Sequence, residues 1–183
     1  TPLEETLRAV QDIVRSGKAR YWGFSNFPVW QFGLIVQICD QIGLELPVVC
    51  QPYYNAMNRQ PEVELLPACL HYGFGVVPYS PLARGVLTGK YDPDKAPDPS
   101  TRAGRGDRRM LQAEFRKESL IIAKKLKGYA ESKGVTPGAL AVAWTLNSTA
   151  VTSVLPGPRT AAHWKDNLAA LKYEFTAEDE ACF

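Results

Sequence analysis

Four apolar runs in this chain end on small polar, aromatic or glycine residues, and those endings hold most of its capacity for chemistry. Ala19-Arg20-Tyr21-Trp22-Gly23-Phe24 ends on Ser25 and Asn26, and Val48-Val49-Cys50 ends on Gln51. Gly75-Val76-Val77-Pro78 ends on Tyr79 and Ser80, and Val151-Thr152-Ser153-Val154-Leu155 ends on Pro156 and Gly157. Ser25, Asn26 and Gln51 together offer a hydroxyl and two carboxamides, a matched set of hydrogen-bond donors and acceptors. Tyr79 adds a flat aromatic face. Gly157 and Arg159 stand just ahead of a helical pattern, whose first amides and positive dipole end favour an anion. The same residues have plainer uses: polar side chains at strand ends cap neighbouring helices, and a tyrosine on a strand is more often core.

Apolar runs that end this way are how buried parallel strands deliver polar groups to the rim of a barrel. They place strands near residues 20–25, 48–52, 75–79 and 151–155. A leading helix precedes the first of them. Thr1-Pro2-Leu3-Glu4 combines a capping box with proline at the first helical position, and Leu3, Leu7, Val10 and Val14 form a one-sided stripe that Ser16-Gly17 ends. Further helical patterns cover about residues 30–42, closed by Gly43, and 62–72, closed by Gly73. Two more follow at 115–133 and 137–147, and a last one at 160–171. Strict alternation of strand and helix argues a parallel sheet of right-handed βαβ units. Residues 82–112 break the rhythm. Rich in Gly, Pro and Arg and too long for an ordinary connection, they read as a functional or mobile loop.

Composition narrows the classes. The 183 residues are 45% hydrophobic with a formal charge of +2, enough for one domain with a real core and no mark of a nucleic-acid or membrane protein. No apolar run is long enough to span a bilayer and no secretory leader precedes the first helix, so a soluble, cytoplasmic protein is expected. Cys39, Cys50, Cys69 and Cys182 lack C-x-x-C spacing and are expected to be buried free thiols. Arg102, Arg105, Arg108 and Arg109, interleaved with Gly104 and Gly106, resemble an RNA-binding tract in composition. That tract holds no aromatic residue, so a solvated loop is the better reading. Neither a G-x-G-x-x-G nor a Walker pattern occurs, and two histidines without ligand spacing argue against a metal site.

Several of these segments, taken in order, resemble the C-terminal half of aldo-keto reductases over essentially the full chain. They are Gly17-Lys18-Ala19-Arg20 leading into Gly23-Phe24-Ser25-Asn26-Phe27, then Gln51-Pro52-Tyr53-Tyr54-Asn55, then Tyr79-Ser80-Pro81-Leu82 with Gly85 and Gly89-Lys90-Tyr91. Pro156-Gly157-Pro158-Arg159-Thr160 and Asp166-Asn167-Leu168 complete the series. The resemblance implies an α/β fold, the (β/α)8 TIM barrel, of which this chain supplies the C-terminal half as four βα units. Residues 1–183 would then be a single domain with a long loop at 82–112. The implied cofactor is NADP(H), and the implied reaction of the complete protein is reduction of an aldehyde or ketone to the alcohol by hydride transfer.

By the same resemblance, Ser25, Asn26 and Gln51 hold the nicotinamide carboxamide and Tyr79 lies against the nicotinamide ring. Ser80, Pro81, Leu82, Gly85 and Lys90 form the pyrophosphate clasp. Gly157 and Arg159 face the adenosine end, with the 2′-phosphate near Arg159, and His163, Asp166 and Asn167 hold the adenine. His163 stands where many members carry Gln, and Asp166 is one methylene shorter than the commoner Glu. The family's catalytic Tyr, Lys, Asp and His lie on the N-terminal half of the barrel, so no residue here is assigned to catalysis, and neither His71 nor His163 fills that role. The expected partners are a small-molecule carbonyl substrate and the missing N-terminal barrel half. A non-catalytic NADP(H)-binding regulatory subunit, similar to potassium-channel β subunits, is the alternative, and a half-barrel left by gene truncation is a third.

Overall fold

The chain's own punctuation sets where its elements begin, with one correction at the first helix. A computed structural model describes residues 1–183, and in it helix α1 runs Leu3–Arg15. Pro2 is its N-cap, at φ −58° and ψ 143°, and no side chain caps the helix. The expected capping box therefore does not form. The extended ψ at Pro2 moves the helix start to Leu3, so Glu4 sits one position too early to reach back, and it pairs instead with Arg8 at 2.8 Å. The apolar stripe behaves as read: Leu7 is buried and Leu3, Val10 and Val14 pack beside it on the core.

Three parallel strands follow in the order β1 Gly23–Ser25, β2 Val49–Gln51 and β3 Gly75–Val76. Gly23 faces Val49, Phe24 faces Cys50 and Ser25 faces Gln51, while Val49 and Cys50 face Gly75 and Val76. Register at this level requires glycine at 23, because a Cβ there would be driven into the Val49 carbonyl. A fourth strand at 151–155 was expected, and the structure has only a single parallel bridge, Tyr79 to Leu155. The reason is local. Pro78 has no N–H to give, and the N–H of Val76 goes to the Thr152 hydroxyl at 3.2 Å, so the ladder keeps only bonds donated by residues 152, 153 and 155.

Helix α2, Trp30–Ile42, closes at Gly43 with φ 67°. The helix expected at 62–72 begins later: Pro61 lies in a 3-10 turn, Glu64 leaves helical geometry at φ −134°, and α3 spans Leu65–Tyr72. These three helices and the sheet enclose one core, in which Phe24 packs edge-on against Phe32 at 4.9 Å and Phe74 at 5.6 Å.

The 82–112 segment is not a free loop. Its start, Ala83–Thr88, makes 3-10 turns broken by a kink at Arg84 and Gly85, with Ala83, Val86 and Leu87 fully buried, and its end forms a short helix, α4, Arg108–Ala113, capped by Asp107. Together with α5, Lys117–Ser132, and α6, Pro137–Asn147, it builds a second core around Leu87, Met110, Leu126 and Leu140. Burial of those four apolar residues contributes about 1.5–3 kcal/mol each, which no mobile loop would forgo. Helix α7, Ala161–Ala169, continues into a 3-10 turn. A helix that was not anticipated, α8, Ala177–Cys182, closes the chain behind a capping box of Thr176 and Asp179. Cys39, Cys50 and Cys69 are free and buried as expected, but Cys182 at the end of α8 is exposed. No helix is long and apolar enough to cross a membrane.

Candidate functional site

At the C-terminal end of β3 a cleft of about 390 Å³ opens between two walls. One wall is the segment that leaves β3: Tyr79, Ser80, Leu82, Arg84, Gly85 and Lys90. The other is the entrance to α7: Gly157, Arg159, His163, Asp166 and Asn167. Two segments far apart in sequence, one named by the resemblance for a pyrophosphate clasp and the other for an adenosine site, thus line one cleft.

The nicotinamide-site candidates sit to one side. Tyr79 donates its hydroxyl to Asn26 Oδ1 at 3.2 Å, which joins the β1 end to the cleft. Ser25 donates its hydroxyl to the Gln51 carbonyl at 2.7 Å, so its proton is already in use and it is left as an acceptor. Ser25 and Gln51 do not line the cleft, and neither does Pro81, which is buried.

Backbone strain concentrates here. The residues other than glycine with positive φ are Asn26 at 60°, Ser80 at 57°, Ala83 at 45° and Arg84 at 54°. Each such conformation costs on the order of 1 kcal/mol or more and survives only where its surroundings hold it. For Ser80 the holder is visible. Asn55, fully buried, donates its amide nitrogen to the Ser80 carbonyl at 3.0 Å and accepts from the Met57 amide at 3.0 Å. Gly85, at φ 97°, leaves a hollow that Lys90 fills: a Cβ at 85 would stand 3.2 Å from Lys90 Nζ.

The electrostatics favour an anion. Arg84, Lys90, Arg102 and Arg159 face the cleft against one carboxylate, Asp166. Arg102 pairs with Asp107 at 3.2 Å and Arg84 with Glu114 at 2.9 Å, while Lys90 and Arg159 make no salt bridge. On the α7 wall, Thr160 caps the helix by accepting from the His163 amide, and His163 Nδ1 accepts from the Arg159 amide at 3.3 Å. That bond fixes which histidine nitrogen carries the proton when the ring is neutral. Asp166 has a task beyond the cleft: Thr136, the N-cap of α6, donates its hydroxyl to Asp166 Oδ1.

Sequence reasoning missed three participants. Arg84 lies inside the recognised Tyr79–Lys90 stretch but carries no pattern of its own. Tyr53 donates to Glu114 Oε1 at 2.7 Å and lies 5.5 Å, ring to ring, from Tyr79. Burial pushes the Tyr53 hydroxyl well above the ordinary tyrosine range, and the Glu114 carboxylate adds to that. Glu114 closes α4 and is itself buried, and its partners are 61 and 30 residues away, so no local signal marked it.

Strained turns and two cations without salt bridges thus lie together along one cleft beyond the parallel sheet, an arrangement that favours an anion. Residues 1–181 match the pattern of the aldo/keto reductase family, and the chain belongs to that family. It is 35% identical over 172 residues to a probable voltage-gated potassium channel subunit beta of Arabidopsis thaliana, covering 93% of this chain and 52% of that protein. It is 30% identical over 179 residues to the versiconal hemiacetal acetate reductase of Aspergillus parasiticus, covering 98% of this chain and 51% of that one. Over 91 residues, half of this chain, identity to an aflatoxin B1 aldehyde reductase of Mus musculus reaches 47%. The chain spans about half the length of the first two relatives.

Proposed function

We propose that this chain is the NADP(H)-binding, C-terminal half of a (β/α)8 barrel whose complete form reduces an aldehyde or ketone by hydride transfer. The observation that carries this reading is the pair of cations without salt bridges, Lys90 and Arg159, brought from two distant segments to line one cleft together with Tyr79. Lys90 would meet the diphosphate over Gly85, Arg159 the 2′-phosphate and Tyr79 the nicotinamide face. Asn26, next to Tyr79, would take the carboxamide, with Gln51 and the acceptor side of Ser25 close by. His163, Asp166 and Asn167 would border the adenine. The proton that a forming alkoxide needs must come from a general acid outside these residues. The barrel half that supplies it would close on the free edge of β1 and on residues 151–155. A reducing cytoplasm suits three buried free thiols.

A second reading is favoured by the similarity to potassium-channel β subunits. In it the same site binds NADP(H) for regulation without turnover. Binding itself is common to both. In a fluorescence titration Arg159→Ala should weaken NADPH by about 10- to 150-fold and leave NADH nearly unchanged, since only NADPH carries the 2′-phosphate. Equal losses for both cofactors would make Arg159 structural, and unchanged binding of both would put the 2′-phosphate elsewhere.

A further inference from the structure

Arg84 combines three features that packing alone does not explain. Its backbone is left-handed at φ 54°, between Ala83 at 45° and Gly85 at 97°, where an arginine has no intrinsic reason to be. Its side chain faces the cleft, yet only Nε is bonded, to Glu114 Oε1 at 2.9 Å, so both Nη amino groups have no partner within the protein. Glu114 is buried to 4% exposure, and its second oxygen, Oε2, has no hydrogen-bond partner at all. A guanidinium in the fork geometry would have satisfied both carboxylate oxygens. The arrangement instead strands one oxygen, which costs its desolvation without a compensating bond, and keeps the Nη groups out of the pair.

We propose that Glu114 is a positioning residue that presents Arg84, beside Lys90, as a ligand for the diphosphate of a dinucleotide. The dinucleotide and the place of its diphosphate rest on the reading given above, whereas the brace that Glu114 gives Arg84 does not. Lys90 Nζ overlies Gly85, the residue next to Arg84, so both cations act on one wall of the cleft. Arg159 belongs to the other segment that lines the cleft, the entrance to α7, and the reading given above assigns it to a different part of the ligand. Tyr53 completes the brace by donating to the same Glu114 oxygen, so the carboxylate is held from β2's side and the arginine from the carboxylate's. A planar guanidinium held at Nε leaves its two Nη groups free as a coplanar pair, which suits adjacent phosphate oxygens better than a flexible ammonium does.

Calorimetric titration of the full-length protein with NADPH, NADH and inorganic pyrophosphate tests this. Arg84→Met should weaken all three, the two dinucleotides by the same factor of about 10 or more. Glu114→Ala should weaken the dinucleotides by about 3- to 10-fold, and Glu114→Gln should recover most of that, because its carboxamide oxygen still accepts from Arg84. In the Arg84→Met background, Glu114→Ala should have no further effect. Tighter binding by Glu114→Ala and Glu114→Gln would make Glu114 a mere counter-charge and overturn the proposal. So would a Glu114→Ala loss that persists without Arg84, or unchanged binding by Arg84→Met. If Glu114→Ala does not fold, Tyr53→Phe replaces it, with the same expected dependence on Arg84. Wild-type protein that binds pyrophosphate but neither dinucleotide would refute the NADP(H) reading and leave this one standing, and binding of none of the three would refute both.

Discussion

Asp166 shows how one side chain can serve the cleft and the fold together. Its Oδ1 accepts from Thr136, and its Oδ2 lies 2.6 Å from where a Cβ on Gly138 would be. The carboxylate therefore sits on the first turn of α6, where a negative charge is favoured by the helix dipole. An Ala for Gly exchange in a helix ordinarily gains roughly 0.5–1 kcal/mol. Here Gly138→Ala should instead lower stability by about 1–2 kcal/mol, because the new methyl displaces a charged group from its hydrogen bond. In an Asp166→Ala background the sign should reverse and the ordinary gain should return. Urea unfolding of the four proteins reads both numbers, and a destabilising Gly138→Ala in both backgrounds would mean that backbone, rather than Asp166, sets the need for glycine. The sequence marked Asp166 as a site residue through its motif. Its bond to Thr136, 30 residues away, had no sequence signal.

Among the elements, legibility followed the strength of local punctuation. Helix α2 was readable because Gly43 closes it in the left-handed conformation, and α6 because Thr136-Pro137 opens it with a cap and a fixed φ. Residues 151–155 read as a fourth strand because their β-branched run looks like its neighbours, and what withholds the ladder is Pro78, in the segment that follows β3. Helix α8 was missed although Thr176-x-x-Asp179 is a capping pattern, because a six-residue helix leaves no periodicity to find. Tertiary bonds hold it: Asp179, with no exposed surface, accepts from Tyr173 at 2.7 Å, Tyr129 at 2.9 Å, and the Thr176 amide and hydroxyl at 2.7 and 2.8 Å. Burial by itself would raise the carboxyl's pKa, but these donors outweigh it and bring it from 3.8 down to about 2. A folded pKa below the unfolded one means that the contribution is full above about pH 4 and is lost as pH falls toward 2. Asp179→Asn should be less stable than wild type at pH 6, and the gap should close as pH falls through that window. A gap that stays constant from pH 6 to pH 2, measured by urea midpoints, would show that Asp179 acts by shape alone.

For the whole molecule, the second core explains why a region that reads as loop is built as structure. Residues 83–88 and Met110 are pinned under α5 and α6, and that packing keeps Arg84, Gly85 and Lys90 on the cleft wall. The sheet has no such cover at its edges. β1 pairs on one side only, and Tyr21, Trp30 and Val48 near it are 73%, 69% and 46% exposed. At the far edge Thr152 and Ser153 are exposed and pair only inward, to the Val76 carbonyl. Parallel strands are ordinarily buried on both faces, and an unpaired edge invites association. The 183-residue chain on its own should therefore bind a hydrophobic dye and elute from size exclusion larger than its 20.2 kDa, as a self-associated species. Adding a polypeptide that supplies the other half of a barrel should reduce both signals together, because closing the sheet covers the edges and the apolar surface at once. A monodisperse monomer without dye binding, unfolding in one cooperative step, would mean that three short strands suffice and that the open edge calls for no partner.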